Sequence, residues 1–469
     1  MGFFWFLVFS ALVLLPSAFV ESEVHGNPTL WINGSIQLSL YHVQSLDSSL
    51  TSTSTSTLTL SDMLAKDEER VRAIQSRLEN NVDKSSEGTS VFPKALGGAR
   101  PTKVPVKSGL PIGTLNYFVK IGLGTPPKYF SLVIDSGSSL NWLQCQPCKV
   151  SCHQQVDPLF DPSASKTYKR FSCSSPQCSS VKGATLNDPL CETSSNTCVY
   201  RATYGDRSIS EGYLSQDVLT LNPSETLANF IYGCGQNNVG LFGRSAGFLG
   251  LANNELSLLA QLSTKYGNAF SYCLPTSFSS NPANSGKFLG FLSIGSSLLA
   301  TSSYKFTPTL KNPANPDLYF LDLTALTVAG KPLGVAASSY KMPTIIDSGT
   351  VITRLPPSVY AALKGAFVNI LSKRYKQVPA ISLFDACFAG NVKNALGVPE
   401  IQLIFGGGAD LTLRAPNTLL YLEEDGATCL AFAATSGNIA IIGNYQQQTF
   451  TVAYDVSNSK IGFAAGGCQ

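Results

Sequence analysis

From about residue 113 to the end, apolar runs are short and separated by clusters of Gly, Pro, Asn and Ser. That punctuation predicts strands joined by tight turns, with few helices. Residues 117–124 read as one strand, and Thr125-Pro126-Pro127 as the turn that ends it. Helical periodicity is confined to 257–266 and 358–373 in this body. Ahead of it, Leu64, Val71, Ile74 and Leu78 share one helix face, which predicts a helix over 61–80 with Ser61 as its cap. The run Lys66-Asp67-Glu68-Glu69-Arg70 lies within that helix. A solvated face is the simpler reading of those charges; the other is a helical pro-segment that covers a cleft. Residues 23–60 are polar, end in a Ser/Thr tract and read as flexible. They hold a glycosylation sequon, Asn33-Gly34-Ser35. Residues 81–110 turn basic, with Lys94, Arg100, Lys103 and Lys107, and read as an exposed linker open to proteolysis.

Composition narrows the class. Hydrophobic residues make up 44% and charged residues 13%, which excludes a disordered chain. At 469 residues the chain exceeds what one core needs, so at least two lobes are expected. The net charge of +3 comes without a long Lys/Arg run, so no nucleic-acid partner is expected. Residues 3–15 are apolar apart from Ser10 and precede Pro16-Ser17-Ala18. The run is short for a bilayer span and suits a signal peptide over 1–22. No later run suggests a membrane anchor. All 12 Cys lie from Cys145 onward, an even number that predicts disulfides and the secretory pathway.

One internal repeat stands out. Residues 131–138 and 343–350 are each an apolar strand that breaks at Asp-Ser-Gly: Asp135-Ser136-Gly137-Ser138 and Asp347-Ser348-Gly349-Thr350. Each is followed later by an apolar pair and a glycine, Phe248-Leu249-Gly250 and Ile441-Ile442-Gly443. The spacing is too long for a solenoid. It predicts two homologous lobes, each donating one carboxylate.

Other chemistries lack parts. Of the three His, His25 and His42 precede the body and His153 sits in a Cys-rich loop, so a nucleophilic triad has no convincing base. Cys145, Cys148, Cys152 and His153 have a spacing that superficially suits zinc, but disulfides explain it more simply. No phosphate-binding loop occurs. No metal or cofactor is expected. The two Asp remain. A single Asp in this setting reads as a turn cap; two in matched settings read as a pair. Carboxylates about 3 Å apart repel by about 5 kcal/mol at an effective dielectric of about 20. They would therefore share one proton. The charged member would take a proton from water, and the protonated one would give its proton to a scissile carbonyl oxygen.

The motifs around these residues resemble the pepsin-like aspartic proteases, especially the plant nepenthesin-like branch. Trp142 follows Asp135 at the family spacing, and 200–206 resembles the flap strand with Tyr204 as its tyrosine. Gly233-Cys234-Gly235, Phe270-Ser271-Tyr272-Cys273 and Gly443-Asn444-Tyr445-Gln446-Gln447-Gln448 fit the plant branch. The resemblance covers about 113–468. It implies an all-β, bilobal fold with a central cleft and a few short helices. The implied divisions are a propeptide over 23–110, a first lobe with a Cys-rich insertion over 111–310, and a second lobe over 311–469.

The resemblance also assigns roles. Asp135 and Asp347 would be catalytic. Gly137, Ser138, Gly349, Thr350, Trp142 and Tyr204 would form the flap and substrate-binding set, and Gly250 and Gly443 would pass close to the active loops. Implied disulfides are Cys145–Cys234, Cys148–Cys152, Cys273–Cys468 and Cys387–Cys429, with Cys173, Cys178, Cys191 and Cys198 left in unknown order. Ser136 departs from the usual Thr but keeps the hydroxyl. Arg207 stands where the family commonly has Gly. The implied function is a secreted acid endopeptidase made as a zymogen, a monomer acting on proteins or peptides in the apoplast or vacuole. The alternative is a non-catalytic pepsin-like protein that inhibits glycosidases or binds peptides.

Overall fold

The computed structural model describes residues 30–32, 35–37, 59–80, 102–108, 114–204, 208–240, 242–276, 290–296, 299, 303–392 and 397–468. The leader over 1–22, the sequon at Asn33 and the loop position Arg207 lie outside the described residues.

The short apolar runs form strands, and the repeat in sequence becomes a repeat in topology. Lys128–Asp135 runs parallel to Gly247–Gly250, which also pairs antiparallel with Trp142–Gln144. In the second lobe Thr344–Ile346 runs parallel to Ala440–Ile442, which pairs antiparallel with Thr353–Leu355. Each Asp thus leaves the end of a strand that is buried between neighbours. Ile134, Leu132, Ile346 and Ile442 lie in one large core with Leu249, Leu355 and Phe432.

Between the lobes lies a shared antiparallel sheet. Its strands run in the order Thr102–Ser108, Gly290–Ile294, Ala269–Cys273, Phe450–Asp455, Lys460–Ala465 and Lys305–Leu310. This corrects the linker expected over 81–110. Val104 and Val106 face the core on alternate positions while Lys103 and Lys107 point away, so 102–108 is a strand of the body. Lys305–Leu310, just before the expected lobe division at 310, is the edge of this shared sheet and pairs with the last strand.

The two helices expected in the body are Leu258–Tyr266, capped by the Ser257 hydroxyl, and Pro357–Leu371, with Pro in its first turn. A further helix, Pro176–Thr185, sits in the Cys-rich insertion and buries Cys178, Val181 and Ala184. The leading helix is Leu60–Asn80. Its cap is Thr59 and not Ser61: Thr59 Oγ1 accepts from Asp62 N–H at 3.1 Å, and Asp62 Oδ2 accepts from Thr59 N–H at 2.9 Å.

The four implied disulfides are present: Cys145–Cys234, Cys148–Cys152, Cys273–Cys468 and Cys387–Cys429. The remaining four cysteines pair as Cys173–Cys191 and Cys178–Cys198. Cys145, Cys148 and Cys152 are therefore bridge residues, and the neighbouring His153 is turned to the carbonyl of Ser245 at 2.8 Å.

Candidate active site

Two loops meet where the buried strands end. Asp135 and Asp347 have no solvent exposure. Each is held in the same way by its own loop. Asp135 Oδ1 accepts from Gly137 N–H at 3.0 Å and Oδ2 from the Ser138 hydroxyl at 2.6 Å. Asp347 Oδ1 accepts from Gly349 N–H at 3.0 Å and Oδ2 from the Thr350 hydroxyl at 2.6 Å. A tight Asp-Ser-Gly turn supplies both donors because the chain folds back on the carboxylate. The loops are bolted to each other by their serines. Ser136 N–H donates to Ser348 Oγ at 3.1 Å, and Ser348 N–H donates to Ser136 Oγ at 2.9 Å. From the Ser136 side chain this cross-link takes the hydroxyl, which is what Ser and Thr have in common.

Close approach explains the glycines. A Cβ on Gly349 would stand 2.4 Å from Asp135 Oδ1, and one on Gly137 would stand 2.8 Å from Asp347 Oδ1. Each glycine therefore lets the opposite carboxylate come near. Gly250 and Gly443 pass against the Ser139 and Val351 carbonyls, as expected from the motif.

Tyr204 follows the strand Thr197–Thr203, and its N–H donates to Ser208 O at 2.8 Å. Its hydroxyl accepts from Trp142 Nε1 at 2.7 Å. The rings of Phe242 and Phe248 pack against both residues. Tyr204 is half-buried here, so the hairpin presents a fixed aromatic wall rather than a loose side chain.

The leading helix fills the cleft. This overturns the solvated-face reading of its charges: Asp67 is buried, and the side chain of Arg70 is only 15% exposed. Arg70 Nη2 lies 2.6 Å from Asp135 Oδ1 and 3.0 Å from Asp347 Oδ2, so a single nitrogen bridges both carboxylates. Met63 and Leu64 pack on Val351, Ile352 and Tyr445, while Val71, Ile74 and Leu78 pack on Leu318, Phe320 and Ile441. Gln75 Nε2 donates to Thr435 Oγ1 at 2.6 Å. Sequence reasoning named the apolar face but missed Arg70 and Asp67. The signal was present: Asp67 lies three residues after Leu64 and four before Val71, inside the apolar stripe, where a solvated charge has no place.

Burial pushes Asp135 above the ordinary carboxylate range, with Arg70 pulling the other way. The same burial acts on Asp347, but Arg70, the Thr350 hydroxyl and Gly349 N–H more than offset it and hold Asp347 low. Burial also works against the charge on Arg70, yet the two carboxylates beside it win and keep it protonated. Two buried carboxyls this close to one point can share a single proton, which suits one acid and one base.

A two-lobed β fold with one carboxylate from each lobe at a common point defines the pepsin-like class. A family model described as "Xylanase inhibitor N-terminal" matches residues 117–296, and one described as "Xylanase inhibitor C-terminal" matches 318–465. The chain is 40% identical to an aspartyl protease family protein of Arabidopsis thaliana over 87% of its length and 82% of that protein's. It is 33% identical to aspartic proteinase nepenthesin-1 of Nepenthes gracilis, covering 77% of this chain and 80% of the relative. Among solved structures it resembles basic 7S globulin from soybean, with TM-score 0.59 and 22% identity, covering 79% of this chain and 97% of the other. The chain belongs to the plant pepsin-like aspartic protease family.

Proposed function

We propose that this protein is an acid endopeptidase made as a zymogen, in which Asp135 and Asp347 activate a water that attacks a peptide bond. The observation that carries this reading is the convergence of both carboxylates on one point of the cleft, now taken by Arg70 Nη2. Once the helix leaves, that point is free for a water. The pair then shares one proton, because burial disfavours two charges side by side. The ionised carboxylate removes a proton from the water as it attacks the scissile carbonyl carbon. The protonated one gives its proton to the carbonyl oxygen, yielding a neutral tetrahedral diol without metal or covalent intermediate. The proton then returns through the pair to the leaving nitrogen as the C–N bond breaks. Tyr204 and Trp142 form the wall that orders the peptide and excludes solvent. Gly137, Ser138, Gly349 and Thr350 hold the carboxylates in place.

The helix Leu60–Asn80 then acts as the inhibitory part of a propeptide. Six disulfides support folding in an oxidising compartment, in keeping with a cleaved leader and a secreted, monomeric enzyme acting on protein or peptide substrates. The descriptions of the matching family models favour one other reading, a non-catalytic protein that binds a glycosidase. Digestion of a peptide library by the acid-treated protein across pH 2–8, with and without pepstatin, separates the two. Cleavage that peaks in acid and stops with pepstatin supports the protease; a protein with no cleavage at any pH is the binder.

A further inference from the structure

Asp67 is the least expected residue of the leading helix. A buried carboxylate in an apolar stripe costs free energy unless the partner surface is built to receive it. The second lobe supplies that surface. Val351 N–H donates to Asp67 Oδ1 at 2.5 Å, Ile352 N–H to Oδ2 at 3.0 Å, and Arg354 Nη2 to Oδ2 at 3.2 Å. Arg354 Nη2 also donates to Glu68 Oε2 at 2.9 Å. Every donor in this set belongs to the loop and strand that continue from Asp347, and none belongs to the helix.

Arg354 itself is 1% exposed. Nη1 donates to the Ile352 carbonyl at 2.8 Å, and Nε is buried without a hydrogen bond among the described residues. Asp385, another carboxylate of this lobe, is engaged by Lys364 at 2.6 Å and by the Tyr360 hydroxyl. Asp67 and Glu68 are the acidic groups in ion-pair contact with Arg354 among the described residues. Both lie on the helix. When it leaves, a guanidinium and two backbone N–H groups stay behind in the cleft wall, pre-arranged for a carboxylate.

We propose that Val351 N–H, Ile352 N–H and Arg354 form a carboxylate-binding subsite of the open cleft, and that the protein selects peptides carrying Asp or Glu there. The proposal rests on the protease reading above and adds a substrate class to it. The subsite's place along the substrate follows from the helix. Asp67 is three residues from Arg70, about 4.5 Å along the helix axis. An extended peptide advances about 3.3 Å per residue. The acidic side chain therefore belongs one to two residues from the scissile bond, on the side of the second lobe. Arg354 is a specificity residue in this account, apart from the chemistry.

The test is a set of paired peptides that differ only in Asp against Asn, or Glu against Gln, at each position around one cleavage site. They are digested by the acid-processed protein, freed of its leading helix, at about pH 5, where free carboxylates are charged. The acidic member should be cleaved roughly tenfold faster at one position near the cut, and equally at the others. Arg354→Gln should bring that ratio close to one, and Arg354→Lys should keep part of it. Cleavage with no acid-over-amide ratio at any position overturns the proposal while leaving the protease reading intact. So does a ratio that Arg354→Gln does not change. Absence of all cleavage defeats the protease reading instead, and binding then decides the subsite. Fluorescence anisotropy of a labelled acidic peptide and its amide twin, at about pH 5 on the Arg70→Gln protein, whose helix should already be released there, should show tighter binding of the acidic one. Equal affinity would discard the subsite.

Discussion

At the scale of single residues, the two carboxylates are alike in hydrogen bonding yet unlike in proton affinity. Each accepts one backbone N–H and one hydroxyl from its own turn. In the proposed mechanism neither can do the other's work, since one must be charged while the other holds the proton. Asp135→Asn and Asp347→Asn should therefore each lower peptide turnover at least a hundredfold with the fold intact, checked by steady-state kinetics beside circular dichroism. Either variant retaining more than roughly a hundredth of wild-type turnover would refute the assignment. Ser136 makes a separable contribution. Its Oγ accepts from Ser348 N–H in the buried bridge between the loops. Ser136→Ala leaves that donor without a partner and should cost about 1–3 kcal/mol in urea unfolding. A variant as stable as wild type would show that the bridge is dispensable.

At the scale of elements, the leading helix and the disulfide-held insertion matter most. In the docked state burial raises Asp135 and works the same way on Asp347, but Arg70 favours the charged form of both. The balance leaves Asp135 raised and Asp347 lowered, so of the two it is the Asp347 charge whose support of docking acid removes. Asp347 is held below the ordinary value of 3.8, so its contribution is present above that pH and fades only as pH drops past it. Asp67 opposes this in part: burial raises its pKa, so protonating it favours the docked form. Asp135, raised likewise, opposes it too, so acid release rests on loss of the Asp347 charge beside Arg70 and is expected below about pH 4. Arg70→Gln removes the charge that links docking to the dyad and should release the helix nearer neutral pH. Limited proteolysis of the helix, read by mass spectrometry over pH 2–7, reports both. Release of wild type and variant at the same pH would count against the bridge. In the insertion, Cys178–Cys198 closes a separation of 20 residues and anchors the helix Pro176–Thr185. Replacing both cysteines by Ser should cost about 3 kcal/mol in the same unfolding assay. No loss of stability would mean that packing alone holds the insertion.

At the scale of the whole molecule, much of the architecture was legible in the chain because it is written locally. Asp-Ser-Gly turns, the glycines that allow close approach and the Tyr204 hairpin are short motifs whose physics lies within a few residues. What was not legible is what other parts of the chain complete. Arg70 meets Asp135 and Asp347 across separations of 65 and 277 residues, and no spacing rule reports that. The strand Thr102–Ser108 was hidden by its lysines and Pro105, although Val104 and Val106 alternate as a half-buried strand requires. That strand pairs with both Gly290–Ile294 and Tyr117–Leu123, so a cut that spares the sheet falls between residues 80 and 102. N-terminal sequencing of the processed protein should find its start in that interval; a start beyond residue 108 would mean the shared sheet survives without its first strand. The central claim joins dyad and helix: the chain cleaves peptides with its two carboxylates, and only when the helix is out. The most direct measurement follows peptide cleavage and helix release together, in one sample of full-length protein, as pH is lowered. The account predicts that both begin over the same acid interval and that Arg70→Gln shifts them upward together. Cleavage while the helix remains docked, or complete release with no cleavage, would contradict it.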